Sequence, residues 1–287
     1  MVISKPGVYD WLPLDHYHKG PGFSNSQLTL VGTRSPAHVK HAMDNPSPST
    51  DAQRTGEAFH CLTLEPHLFR DRFYLFEGDL RSKAKKEEWA EAEEKGLIVL
   101  REKQLENVKG MGQAVRDHPD AQPLLYEMKA QFEKSVYWKD SFTGLLCKVR
   151  PDIVPDYDIL NAIGDLKSCR AGANRNAETW GRQIGMYRYH VQAAYYLEGC
   201  RKAWNRDYLG FYWITVESEA PYGVNVYMAD REMIEEGRRV FRRDLNVLGE
   251  CVKQNMWPGY EEGVKTVSLL PWDISGARNP DEGENND

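Results

Sequence analysis

Two short stretches place acids and a lysine where they could act together. "RPDIV" carries Asp152, and thirteen residues later "GDLKS" carries Asp165 and Lys167. At a period of two, Ile159, Asn161, Ile163, Asp165 and Lys167 share one face of an extended segment, and Leu160, Ala162, Gly164 and Leu166 share the other. A strand with apolar residues on both faces is a central one, where charge is costly unless it is paired or holds a metal. Taken alone, Asp165 and Lys167 read as a surface pair at a strand end. With Asp152 at the end of a neighbouring strand, the trio suits metal-assisted hydrolysis of a phosphodiester. Two carboxylates hold a hard cation such as Mg²⁺, with waters and the phosphate completing its octahedron. The cation polarises the phosphoryl oxygen and acidifies a bound water. The lysine orients or deprotonates that water, or meets charge developing on the phosphate.

The elements that must position these groups fall into two halves. Residues 1–22 are rich in Pro, Gly and aromatics and read as an irregular arm. "SNSQLTLVGTRSPAHVKHAM" reads as a helix or two, with Ser24 or Ser26 as N-cap and a break at "RSP". "DAQRTGEAFHCLTLEP" reads as a helix ended by Pro66, and "RSKAKKEEWAEAEEKG" as a solvated helix stopping at Gly96. "EKQLENVKGMGQAVRDHP" is a helix with Leu105, Val108, Met111 and Val115 at core spacing. The second half changes period. "KSVYWKDSFTGLLCKVRPDIV" reads as two strands about the turn "DSFTG", and "DILNAIGDLKS" as a third. "NAETWGRQIGMYRYHVQAAYYLEGC" reads as one long helix whose apolar stripe is Trp180, Ile184, Tyr187, Val191, Ala194 and Tyr195. "DYLGFYWITVES" and "YGVNVYMAD" add two strands, and "REMIEEGRRVFRRDLNVLGECVKQN" a last helix. The sum is a helical first half followed by β-β-β-α-β-β-α.

Charge sharpens the picture. The chain carries a net charge of -6, which argues against a general nucleic-acid coat. Between Lys167 and Arg206, however, eight Lys/Arg face two Glu, a local net of +6. An acidic body with one basic stretch suits polyanion binding at one place. The five cysteines lie far apart with no C-x-x-C pair, which argues against a zinc ribbon, an iron–sulfur cluster or a disulfide framework and fits a reducing cytoplasm. No apolar run reaches membrane-spanning length, the N-terminus has no secretion-signal pattern, and no Walker A, G-x-G-x-x-G or G-x-S-x-G motif is present.

"RPDIV" and "GDLKS" at this spacing resemble the signature of the PD-(D/E)xK nuclease superfamily. Two further stretches strengthen the resemblance. In "HVQAAYY", Gln192 and Tyr196 lie four apart on the helix after the "GDLK" strand, and Arg188 extends their face. This is similar to the Q-x-x-x-Y helix of the RecB-like branch. "TGEAFHCLTLEP" is similar to the upstream histidine helix of the exodeoxyribonuclease VIII (RecE) family and its phage relatives. The resemblance runs over roughly residues 20–260.

The resemblance implies an α/β (α+β) fold: a restriction-endonuclease-like core with a mixed central sheet flanked by helices, and a helical N-terminal part. It implies one nuclease domain over 23–275, helical to about 130 and catalytic over about 131–260, between the arm and an acidic tail, 276–287, that reads as disordered. Asp152, Asp165, His60 and the backbone carbonyl of Leu166 would hold Mg²⁺ or Mn²⁺, and Lys167 would position the attacking water. Glu133 either contributes a further carboxylate or is a solvated strand-end acid. Arg150 either reaches phosphate or pairs with an acid. Arg188, Gln192 and Tyr196 would touch DNA or order the catalytic groups. The implied activity is digestion of linear double-stranded DNA, 5′ to 3′ and processive, leaving a 3′ single strand for an annealing protein. A homo-oligomeric ring, trimer or tetramer, would supply processivity. The competing expectations are a single-strand or structure-specific nuclease of the same fold, and a non-catalytic DNA-binding recombination protein.

Overall fold

The computed structural model describes residues 5–10 and 12–269. In chain order the elements are β1 (Gly7–Tyr9), α1 (Leu14–Lys19), α2 (Asn25–Thr33), α3 (Pro36–Asp44), α4 (Asp51–Leu64), α5 (Phe69–Arg72), β2 (Phe73–Phe76), α6 (Lys83–Glu94), β3 (Ile98–Arg101), α7 (Glu102–Asp117) and α8 (Ala121–Tyr126). Then come β4 (Gln131–Phe132), β5 (Ser135–Lys139), β6 (Leu146–Val149), β7 (Ile153–Val154), β8 (Ala162–Cys169), α9 (Ala177–Tyr187), α10 (Tyr189–Trp204), β9 (Gly210–Glu217), β10 (Val224–Met228) and α11 (Arg231–Gln254). The central sheet has the order β10-β9-β8-β7-β4, with β8 and β9 parallel and the other pairs antiparallel. A second sheet, β1-β5-β6, is antiparallel.

The alternation of β8 and β9 divides the interior. Ile163, Phe211 and Trp213 join the core formed with α10 and α11, and Leu166, Tyr212 and Ile214 join the one formed with Phe59, Val108 and Met111 of α4 and α7. Asp165 and Lys167 share the parity of Ile163 and so point to the α10 face. Gly164 is glycine because the Tyr212 ring crosses it: a Cβ there would lie 2.3 Å from a ring carbon.

Several sequence readings hold. Ser24 caps α2 in a capping box with Gln27, α4 ends before Pro66, and α6 ends before Gly96, whose φ is +76°. Others need correction. The arm is not irregular throughout: β1 pairs with β5, and buried Lys148 donates to the carbonyls of Tyr17, His18 and Gly20 at the end of α1. Local sequence could not show this, because the partners lie more than a hundred residues away. The parallel pair β2–β3, which brackets α6, is unanticipated; its strands are four residues long and lack a turn signal between them. The third strand begins at Ala162 rather than Asp158, since a turn closes over Asp156–Leu160. The expected single helix over 176–200 is two, broken at Arg188, whose φ of 57° is left-handed. That break removes Tyr187 from the apolar stripe and leaves it exposed. The expected disordered tail lies outside the described residues.

Candidate metal and phosphodiester site

The register of three short strands builds a row of carboxylates. Phe132 pairs with Ile153, and Ile153 pairs with Gly164, both antiparallel. One step along the same register sets Glu133 beside Asp152, and Asp152 beside Asp165. The first juxtaposition is closed by a backbone bond from Glu133 N–H to Asp152 O, 3.2 Å. Glu133 does not begin a strand as expected. It sits between β4 and β5 with φ 53°, a left-handed conformation that costs a non-glycine residue about 1–2 kcal/mol.

His60 reaches this row from α4. Its Nδ1 lies 3.4 Å from Asp152 Oδ2 and 3.8 Å from Glu133 Oε1. His60, Glu133 and Asp152 each offer a donor atom within 4.8 Å of the others'. The tight set therefore contains Glu133, and Asp165 stands beside it rather than in it. Asp165 is fully buried; its Oδ1 accepts from Gln192 Nε2 at 2.7 Å, and its Oδ2 forms an ion pair with Lys167 Nζ at 2.7 Å. That pairing falls short of hydrogen-bond geometry, and among the described residues Oδ2 has no hydrogen-bond donor. Asp152 Oδ2 accepts from the amide N–H of Leu166 at 2.7 Å. In an extended strand the N–H and C=O of one residue point to the same neighbour, so the Leu166 carbonyl lies on the Asp152 side as well.

A divalent cation fits this donor set. The atoms are hard carboxylate oxygens with one imidazole nitrogen, and a buried anionic oxygen lacks a hydrogen bond. The electrostatics are those of a crowded site. Burial alone would pull the His60 imidazole down, but Asp152 and Glu133 overcome it and hold the pKa up at about 9. Burial pushes Asp152 up to about 7, despite His60 beside it. Glu133 is held below the usual range: burial opposes, and His60 and Arg150 prevail. Lys167 is raised because Asp165 and Asp152 outweigh its own burial, so it remains an ammonium.

The residue family described as "PDDEXK-like domain of unknown function" (DUF3799) matches residues 24–269. The chain belongs to this PDDEXK-like family. Among solved structures it is similar to a candidate exonuclease from Eubacterium rectale, with a TM-score of 0.62 and 13% identity over 93% of this chain and 99% of that one. It also matches a phage-related exonuclease from Haemophilus somnus 129PT at 12% identity over 62% of this chain and 91% of that one, with a TM-score of 0.32. No curated protein matches. The first likeness is one of fold; the second is too slight to weigh. The PDDEXK-like core is a mixed α/β nuclease fold. Among the described residues no helix is long and apolar enough to cross a membrane.

Within this PDDEXK-like core the remaining candidates divide. Arg150 pairs with an acid: Nε donates to Glu133 Oε2 at 2.7 Å, and Nη1 to Leu12 O and Ser135 Oγ, each at 2.8 Å. Buried and committed to these acceptors, it orients Glu133 and does not reach for phosphate. Gln192 holds Asp165, as above. Tyr196 is half-buried against Phe211, with its hydroxyl near enough to Asp165 and Asp152 that they reinforce burial in pushing it up. Arg188 is a correction. It is buried, donates to the carbonyls of Leu28 and Thr29, and pairs with buried Asp244 of α11. The helix break turns it away from the Gln192–Tyr196 face, so it serves the fold and not DNA. The residue that the sequence reading missed is Tyr189, whose ring lies 5.2 Å from Lys167 Nζ. Its spacing could have shown it: Tyr189 lies three residues before Gln192 and seven before Tyr196, on the same helix face.

Proposed function

We propose that this chain is a metal-dependent nuclease that hydrolyses the phosphodiester bonds of linear double-stranded DNA from its ends. The observation that carries the reading is the row Glu133–Asp152–Asp165 across adjacent strands, with His60 at one end and Lys167 at the other. Nuclease chemistry accounts for their collection at one sheet edge better than stability does. A buried carboxylate costs several kcal/mol unless it is compensated, and three in a row cost more.

His60, Asp152 and Asp165 would hold Mg²⁺ or Mn²⁺, with Glu133 and the Leu166 carbonyl completing the protein's donors. The bound cation would polarise the phosphoryl oxygen and acidify water. The chain's own groups do the rest. Arg150 fixes Glu133 and Gln192 fixes Asp165, so the donors do not have to be ordered at the moment of reaction. Without metal, Asp165 and Asp152 hold Lys167 as an ammonium, which suits it to orient the attacking water or meet charge on the phosphate. The 5′ to 3′ polarity, the 3′ single-stranded product, the annealing protein and a ring-shaped homo-oligomer rest on the resemblance to the exodeoxyribonuclease VIII family.

Linear duplex DNA labelled separately at each 5′ and 3′ end, incubated with Mg²⁺ or with EDTA beside a closed circular control, tests the proposal. Metal-dependent loss of the 5′ label first, with the circle spared, is the expected result. Nicking of the circle would keep the site but make the protein an endonuclease. No cleavage with any divalent metal would return the chain to a DNA-binding role.

A further inference from the structure

The break between α9 and α10 has a second effect. Residues i and i+2 of a continuous helix do not face one another. Because Arg188 is left-handed, Tyr187 and Tyr189 stack, with ring centroids 5.6 Å apart and planes at 27°. A left-handed, non-glycine residue persists only when its surroundings over-determine it, and such residues cluster at functional sites. Arg188 is held by Leu28 O, Thr29 O and Asp244. Behind Tyr189 the stack continues to Trp180, 5.7 Å between centroids, and from there to Tyr227 at 6.0 Å and 16°. The inner end is rigid: Trp180 is buried, and the Tyr227 hydroxyl donates to Asn174 O. The outer end is open. Tyr187 is 53% exposed, and among the described residues its only ring contact is Tyr189. Met186 beside it is 65% exposed. The same stack passes the catalytic lysine, since Lys167 Nζ lies 5.2 Å from the Tyr189 centroid.

An anchored aromatic ladder that starts at the phosphate-handling cation and ends in an open tyrosine face has the features of a base-stacking surface. Two successive contacts, of 5.2 and 5.6 Å, lead from Lys167 to Tyr187. A nucleotide whose phosphate meets Lys167 can set its own base or its neighbour's over that ring. We propose that Tyr187, backed by Tyr189, is a stacking platform for a nucleobase of the strand being cut, within a nucleotide or two of the scissile phosphate. The inference rests on the nuclease reading above. Every base has a π-face, so the platform grips the strand without regard to sequence. It requires the base to leave its duplex partner, which is easiest at an end.

The test crosses a protein change with a DNA change. Single-turnover digestion is measured for the full chain and its Tyr187→Ala and Tyr187→Phe variants, on end-labelled duplex with one abasic site moved through the terminal nucleotides. The exposed position tolerates substitution, and a thermal melt checks this. The unaltered protein should slow roughly 5- to 100-fold when the abasic site reaches one position. Tyr187→Ala should show that loss on intact DNA, mainly as weaker half-saturation, and no further loss on the abasic substrate. Tyr187→Phe should behave as the unaltered protein. A Tyr187→Ala variant that cuts intact DNA normally, or stays fully sensitive to the abasic site, overturns the proposal. So does one whose only change is in subunit number, which would make the patch a self-association face. If the unaltered protein cuts nothing, the nuclease reading fails, and stacking is read separately with a 2-aminopurine end probe in EDTA. Quenching by the unaltered protein but not by Tyr187→Ala supports the platform, and equal signals refute it.

Discussion

Metal binding should be strongly pH-dependent, with a slope set by His60 and Asp152. A metal takes the imidazole lone pair and the carboxylate anion, so any proton on either group must leave. Without metal, the carboxylates of Asp152 and Glu133 hold His60 up at about 9, and burial holds Asp152 up at about 7. Between these values one proton is displaced, and Mg²⁺ affinity should rise about tenfold per pH unit. Below about 7 the Asp152 proton must leave as well, and the slope should approach two decades per unit. Above about 9 it should flatten. At pH 7 the His60 proton alone lowers affinity by about 3 kcal/mol, on the order of a hundredfold. The metal-free fold follows the opposite course. A histidine raised in the folded state contributes stability that is fully present below its unfolded value, 6.5, and is lost as pH rises through about 9. The thermal shift caused by Mg²⁺ should therefore grow over the same range. Isothermal calorimetry in two buffers of different ionisation enthalpy counts the released protons: close to one at pH 8 and approaching two at pH 6. Affinity that is flat from pH 7 to 9, with no proton released, would refute the assignment of His60 as a ligand. Substituting His60 by Ala should weaken binding and remove the one-proton step together.

Further outcomes follow from single contacts. Lys167→Ala should lower cleavage by roughly 10²- to 10³-fold with the fold retained, because Gln192 still holds Asp165; unchanged cleavage with an intact melt would remove Lys167 from the chemistry. Arg188→Met leaves Asp244 buried with only Arg243 beside it, and should cost about 3–5 kcal/mol, or roughly 6–10 °C in Tm. The double variant Arg188→Met/Asp244→Leu should recover most of that in a denaturant titration. An unaltered stability with weakened DNA binding would instead return Arg188 to the DNA surface. Gly164→Ala drives a methyl into the Tyr212 ring, which is 1% exposed and has no room to retreat. A loss of about 1–3 kcal/mol, visible as a lower urea midpoint, is expected; a neutral result would mean that the strand pair yields at no cost.

Composition, period and spacing were enough to locate the longer helices from Asn25 to Asp117, the strand that carries Asp165, and the chemistry the acids imply; the strand read through Asp152 is in fact two, β6 and β7, which belong to different sheets. Such features are local: a capping box at Ser24–Gln27, an alternation through Gly164, a motif spacing between two strands. Each is decided by residues close in the chain, so it is written there. The mutual arrangement of the acids was not. Whether Glu133 or Asp165 stands nearest His60 depends on the pairing of β4 with β7 and of β7 with β8, and on where α4 meets that edge. Register is a tertiary property, because a slip of one residue turns every side chain to the opposite face. The break at Arg188 belongs to the same class. Nothing between Asn176 and Trp204 forbids a continuous helix; the left-handed turn is imposed by Asp244 and the carbonyls of α2, contributed from 56 and 159–160 residues away. The sequence by itself determined which residues could hold a metal and meet a phosphate. Only the tertiary structure decided which of them meet, and that Tyr187 turns to solvent and stacks on Tyr189, the ring that lies over Lys167, because those outcomes depend on contacts that no local window contains.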